Sequence, residues 1–200
     1  MWSLVVALIP FAFSLTASPG PNNVIAMATA ANFGYWRTVP VIVGFMVGVA
    51  SMITAAGLGL NQLFRTYPEI HGALKYVAVG YLLYLAWKIA RSGAIKSGKN
   101  PDTPMSLMQG ALFQWVNPKA WIVSISAVTT FTEPNSDPFL QTVIIGTVFV
   151  VVGFQSVSLW ALFGTVVARF LTSPRALKVF NFCVAGLLVL SLIPLLFDKV

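Results

Sequence analysis

The chain has 200 residues, 58% of them hydrophobic and only 8% charged, with a mean hydropathy of +0.84. A soluble globular domain carries about a quarter charged residues, so this balance excludes one and points to an integral membrane protein. The net charge of +7 would suggest a nucleic-acid partner in a soluble chain, but most of the twelve Lys and Arg lie between apolar runs, where they report orientation and no polyanion. Cys183 is alone, which rules out an intrachain disulfide or a CxxC redox pair and leaves it as a small apolar filler.

The N-terminal run Leu4 to Phe13, followed by Thr16-Ala17-Ser18, loosely resembles the apolar core and cleavage site of a signal peptide. No basic residue precedes it and prolines follow at once, so it is expected to be retained. Uncharged or nearly uncharged runs of spanning length, about 20 residues for ~30 Å of hydrocarbon, then divide the sequence into six expected helices near 2–32, 39–61, 74–90, 106–130, 139–167 and 176–197. The first has no charged side chain from Met1 to Trp36, yet it contains Ser18-Pro19-Gly20-Pro21-Asn22-Asn23. Pro19, Gly20 and Pro21 cannot sit in an unbroken helix, and the fourth run is broken in the same way at Pro118. Whether the first run is a kinked span or a helix with a re-entrant half is open. A break in hydrocarbon is tolerated only where protein, polar side chains or a wet cavity takes up the freed backbone groups, and transporters build binding sites from such breaks.

Numbering the ends alternately puts Arg37, Lys88, Arg91, Lys96, Lys99, Arg169, Arg175 and Lys178 on one face, against Arg65, Lys75 and Lys199 on the other. Eight against three makes the first face cytoplasmic and both termini periplasmic. The halves look related: Pro21 matches Pro118 at an offset of 97, Gly44 matches Gly146 at 102, and Ala73-Leu74-Lys75 matches Ala176-Leu177-Lys178 at 103. Because three helices make an odd number, a second copy enters from the opposite side. The expected fold is therefore a single all-α transmembrane domain over 1–200, built of two inverted three-helix repeats, about 1–91 and 106–200, joined by a cytoplasmic linker at 92–105.

Lys119, beside Asn117 and Pro118, falls at the centre of the fourth run. A lysine there costs about 2.5–3.5 kcal/mol on insertion scales, so it should face a cavity or a partner. Glu69, Asp102, Glu133, Asp137 and Asp198 are all expected in loops or at the terminus, which leaves a substrate carboxylate, water or backbone carbonyls as its partners. The plainer reading is that it snorkels to an interface. Asn22, Asn23 and Asn117 flank the breaks and could cap the half-helices, bind ligand, or both. Gln155 and Ser156 complete a polar lining or bond between helices. Gly44 and Gly48, continued by Ser51 and Ala55, form a small-residue seam expected to pack helices within the monomer. Trp2, Trp36 and Trp87 read as interfacial anchors, Trp115 and Trp121 as a cavity wall or simple packing, and His71 as a solvated loop residue.

At Ser-Pro-Gly-Pro-Asn-Asn (18–23) with Asn-Pro-Lys (117–119), in a six-helix chain of this length, the sequence resembles the LysE/RhtB family of amino-acid exporters. The stretches 85–90, 113–117 and 160–162 further resemble its branch for small neutral amino acids such as cysteine and O-acetylserine; Ser18, where the family usually has threonine, keeps the hydroxyl. The resemblance implies a bacterial inner-membrane exporter of a neutral amino acid (threonine or homoserine, or cysteine or O-acetylserine), driven by the electrochemical gradient without an organic cofactor. The residues suggest a division of labour for the ligand: Lys119 and the helix start after Pro21 for its carboxylate, and Asn22, Asn23, Asn117 and exposed carbonyls for its ammonium. Pro19, Gly20, Pro118 and Gln155 complete the candidate site. The coupling ion (a proton, another cation or none) and a homo-oligomeric state stay open. Efflux of a metal ion or another metabolite on the same fold is the rival reading, disfavoured by the lack of in-span His and carboxylate clusters. A membrane enzyme would need in-span His, Asp or Glu, and none is expected.

Overall fold

The protein is described by a computed structural model, which places residues 2–60, 68–91, 103–133, 136–171 and 173–190. Among these the chain is all helix, in eight elements: α1 (Trp2–Ala17), α2 (Pro21–Phe33), α3 (Tyr35–Ala55), α4 (Pro68–Arg91), α5 (Leu107–Trp115), α6 (Pro118–Phe131), α7 (Pro138–Phe170) and α8 (Pro174–Leu190). Six of the expected runs are thus present, the first and fourth each as two helices. A π-helical turn, Ala56–Leu60, prolongs α3 and is broken inside at Gly59, whose φ of 94° glycine adopts without steric cost.

Each boundary has a local cause. Proline occupies the first turn of α2, α6 and α7, where its missing N–H would have no helical partner. Asp137 caps α7 by accepting from the N–H groups of Phe139 and Leu140. Ser106 and Gln109 form a reciprocal capping box on α5. The expected polar loop at 33–38 shrinks to Gly34, at φ 84°, because residues from Tyr35 onward already form α3. Helix α4 likewise begins at Pro68, six residues before the expected span, so Glu69 and His71 belong to its first turns and not to a loop. The linker 92–102, Asp102 and the C-terminal residues 191–200 lie outside the described residues.

Tyr35–Gly59 and Pro138–Phe170 are each long and apolar enough to cross a membrane, and the pair α1 and α2, bent by 60° at the Pro19–Gly20 break, makes a third candidate crossing. Large apolar side chains stand exposed along these helices, among them Val47, Val151, Leu159 and Phe163. In water such a surface would drive association; here it is the face presented to lipid. Two long helices, α3 and α7, form the centre: α3 packs on α5, α7, α2 and α6, while α7 also packs on α2 and α1, and α4 pairs with α8 at the side. One core cluster joins Met27, Phe45, Phe113 and Leu188, and a second joins Leu8, Ile53, Ile145 and Phe149.

The small-residue seam is an internal contact, as its pattern leads one to expect. A Cβ on Gly44 would overlap the Leu107 carbonyl, one on Gly48 would lie 2.6 Å from the Ala111 carbonyl oxygen, and one on Gly110 would lie 2.8 Å from that of Val41. Ser51 closes the seam by accepting from the Trp115 indole at 3.1 Å. Backbones this close leave no slack for a methyl group. Gly44→Ala should therefore lower stability by about 1–3 kcal/mol despite alanine's better helix propensity. Gly80→Ala, which meets nothing within 4 Å, should be neutral or slightly stabilising. Unfolding of the two purified variants in detergent checks the contrast.

Candidate functional site

The breaks free specific carbonyls. In a continuous helix the carbonyls of Leu15 and Ala17 would accept from residues 19 and 21, and both are prolines without an N–H. The Ser18 hydroxyl serves Leu15 at 2.9 Å, and the Trp160 indole serves Ala17 at 3.0 Å from the middle of α7. The Asn23 amide donates to the carbonyls of Thr16 at 2.8 Å and Ser18 at 2.9 Å. The second break repeats the solution. The Gln114 carbonyl, whose helical donor would be Pro118, accepts from the Asn117 N–H at 2.9 Å, and that of Trp115 accepts from the Trp121 indole at 2.9 Å.

The two breaks meet. Lys119, in the first turn of α6, reaches across to the start of α2, where its Nζ lies 2.8 Å from Ser18 Oγ, 3.0 Å from the Ser18 carbonyl and 3.3 Å from the Pro19 carbonyl. Backbone carbonyls, one of the partners expected from sequence, and the Ser18 hydroxyl, which is not among those expected, thus hold the charge. Gly20 makes room, because a Cβ there would sit 2.9 Å from Nζ. Beside this contact Asn22 Oδ1 accepts from Asn117 at 2.9 Å and from Gln114 at 3.1 Å, and the Asn22 amide donates back to Gln114 Oε1 at 3.0 Å. Gln114 and Asn117 are buried, and each finds a hydrogen-bond partner in Asn22.

Asn117 caps α6, its Oδ1 accepting from the Lys119 N–H at 3.1 Å. Asn22 and Asn23 are not caps: they lie inside the first turn of α2, whose N-cap is Gly20 with no side-chain bond. Their amides serve the breaks instead. Asn23 Oδ1 is buried without a partner among the described residues, and the two carbonyls on its nitrogen fix which end is oxygen.

A cavity of about 50 Å³ lies at this junction, bordered by Gly20, Asn22, Asn23, Asn117 and Lys119 on the polar side and by Met46, Val123 and Phe149 on the apolar side. It has room for a few waters. Three of the break-forming helices, α1, α2 and α6, and both central helices contribute to it; α5 does not. Gln155 does not: it is exposed and borders an apolar groove between α3 and α7, beside Val47 and Val151. Neighbours on a helix point about 100° apart, so it is Ser156 that turns inward, its hydroxyl 3.0 Å from that of Thr16. Trp115 and Trp121 pack edge to face at 5.4 Å and border no part of the cavity. Sequence reading left Ser18, Gln114 and Trp160 out of the site. An uncharged polar side chain beside a proline break, or an indole in mid-span, is the signal that would have found them.

Trp160→Phe keeps the ring and removes the donor, leaving the Ala17 carbonyl unpaired. It should cost about 1–3 kcal/mol, read as a lower unfolding midpoint in detergent.

The family model for LysE type translocators matches residues 13–197. The chain is 30% identical over 153 residues to a cysteine/O-acetylserine efflux protein of Salmonella choleraesuis (strain SC-B67), covering 76% of this chain and 77% of the relative. It is 26% identical over 168 residues to the protein of that name from Escherichia coli (strain K12), covering 84% and 85%. No solved structure matches it.

Proposed function

Since the chain belongs to the LysE type translocator family, we propose that it exports small neutral amino acids, cysteine and O-acetylserine first among them, across the bacterial inner membrane by alternating access. The observation that carries this reading is the Lys119 ammonium held at the meeting of two membrane-buried helix breaks, beside a cavity that also contains an unpaired amide oxygen. A zwitterion needs one cationic and one electron-rich partner, which here touch each other and must part to admit it. Lys119 supplies the first for a carboxylate, and the Ser18 and Pro19 carbonyls with Asn23 Oδ1 supply the second for an ammonium. Pro19, Pro21 and Pro118 serve by exposing backbone; Gly20 serves by leaving space. Asn22 and Asn117, with Gln114, form the latch between the breaks. At about 50 Å³ the cavity is closed around its own side chains, and an amino acid enters when this latch parts.

Six crossings in two inverted repeats remain our architecture, with the periplasmic placement of both termini. Helix contacts support it by occurring in matched sets: α3 on α5 is answered by α7 on α1, while α3 with α7 and α4 with α8 pair each element with its own counterpart. The electrochemical gradient is the proposed driving force.

In cells overproducing the protein, labelled cysteine or O-acetylserine should leave faster than from control cells, and an uncoupler should remove the difference. Lys119→Met should abolish export while the protein still reaches the membrane. Wild-type export by that variant would sink the site assignment. A reporter active only outside the cytoplasm, fused after Val200, should be active; silence there would overturn the orientation.

A further inference from the structure

We propose that the oxygens of Ser18 and Pro19 form a binding site for a primary ammonium ion, which Lys119 fills as a tethered occupant until a free amine displaces it. The proposal deepens the efflux reading, on which it depends only for the identity of the natural amine.

Three oxygens surround Lys119 Nζ at 2.8, 3.0 and 3.3 Å, one for each proton of an R–NH₃⁺ head. The α-ammonium of an amino acid has the same three donors and the same charge, so the geometry that suits the lysine suits the ligand. The residues of the cradle are those needed to make it. Prolines 19 and 21 break the helix at the Ser18 and Pro19 carbonyls that Nζ meets, and Gly20 leaves the space a Cβ would take from Nζ at 2.9 Å and Cδ at 3.0 Å. Its acceptor capacity also exceeds what Lys119 uses. Asn23, whose amide holds the Ser18 carbonyl in place, borders the same cavity with Oδ1 buried and unpartnered among the described residues. A buried acceptor in that state gains on meeting any donor that enters.

Tether and cradle come from different breaks, so the exchange has a mechanical result. When a free ammonium takes the cradle, one cation replaces another there, and since the displaced Lys119 stays beside the cavity the local charge balance is kept only by a ligand that also brings a carboxylate. Lys119 is released from α2, and the cross-link between the breaks reduces to the Asn22, Gln114 and Asn117 amides. A zwitterion brings the released lysine its new partner, a carboxylate. An amine without a carboxylate would occupy the cradle and leave Lys119 exposed to the cavity.

The test uses methylammonium, with tetramethylammonium, which has no N–H, as the control cation. In the purified full-length Lys119→Ala protein, saturating methylammonium should raise the unfolding midpoint by about 2–4 °C, while tetramethylammonium should not. In the wild-type protein, methylammonium should increase acylation of Lys119 by an amine-selective reagent several-fold, measured by peptide mass spectrometry, while tetramethylammonium leaves it unchanged. The second measurement decides if the variant does not fold. Equal responses to the two cations, or none, overturn the proposal even if amino-acid export is intact. A methylammonium response in a protein that exports no amino acid supports the cradle and sinks the substrate assignment alone.

Discussion

Backbone carbonyls stripped of their helical donors, deep in an apolar chain, are the constraint from which this interior follows. Each unsatisfied group costs on the order of several kcal/mol in hydrocarbon, and the prolines at 19, 21 and 118 remove donors that no neighbouring residue can replace in helical geometry. The molecule answers with side chains brought from elsewhere: an indole from α7, an asparagine from the following turn, a lysine from the other break. Local groups answer the Leu15 and Gln114 carbonyls, but the indole and the lysine come from far along the chain, so the breaks are completed where distant elements converge. The same requirement that stabilises the fold thereby assembles a polar centre in the middle of it.

The centre divides into parts with different stakes. The amides of Asn22, Gln114 and Asn117 pair with one another across the two breaks, and Asn117 also caps α6. The Lys119 contact is different in kind. A flexible four-carbon stem carries a full charge onto neutral oxygens, an arrangement that a competing cation can reproduce, whereas no ligand can reproduce the fixed pairing of buried amides. Structure is concentrated in the first and exchangeability in the second.

Much of this was legible in the sequence, because prolines and a lysine in an uncharged run have few acceptable explanations. The positions of both breaks, the seam at Gly44 and Gly48, and the need of Lys119 for a polar partner all follow from residue type and depth alone. What the sequence could not disclose is which face each neighbour presents. Gln155 and Ser156 are adjacent, equally polar and equally deep, and only the rotation of α7 decides that the serine points inward. Helix starts were misjudged for a related reason. A charged or polar residue ends a hydrophobic run without ending a helix, so α4 reaches back from the expected start at 74 through His71 and Glu69 to Pro68, and α3 through Arg37 to Tyr35. Family likeness, carried by the two motifs, agreed with these physical readings and with the match over residues 13–197.

The glycine seam of α3 has a consequence for how the molecule is made. Gly44 and Gly48 close only on residues 107–114, which leave the ribosome some sixty residues later, and Ala17 meets Trp160 later still. Until that second portion is inserted, the first sits in the bilayer with a bare groove and unanswered carbonyls, shielded by whatever acyl chains, water or insertion machinery lies alongside. Those contacts are thus postponed until the second portion is made, whereas α2 can pack on α3 before it, and a chain interrupted early would keep the groove unfilled.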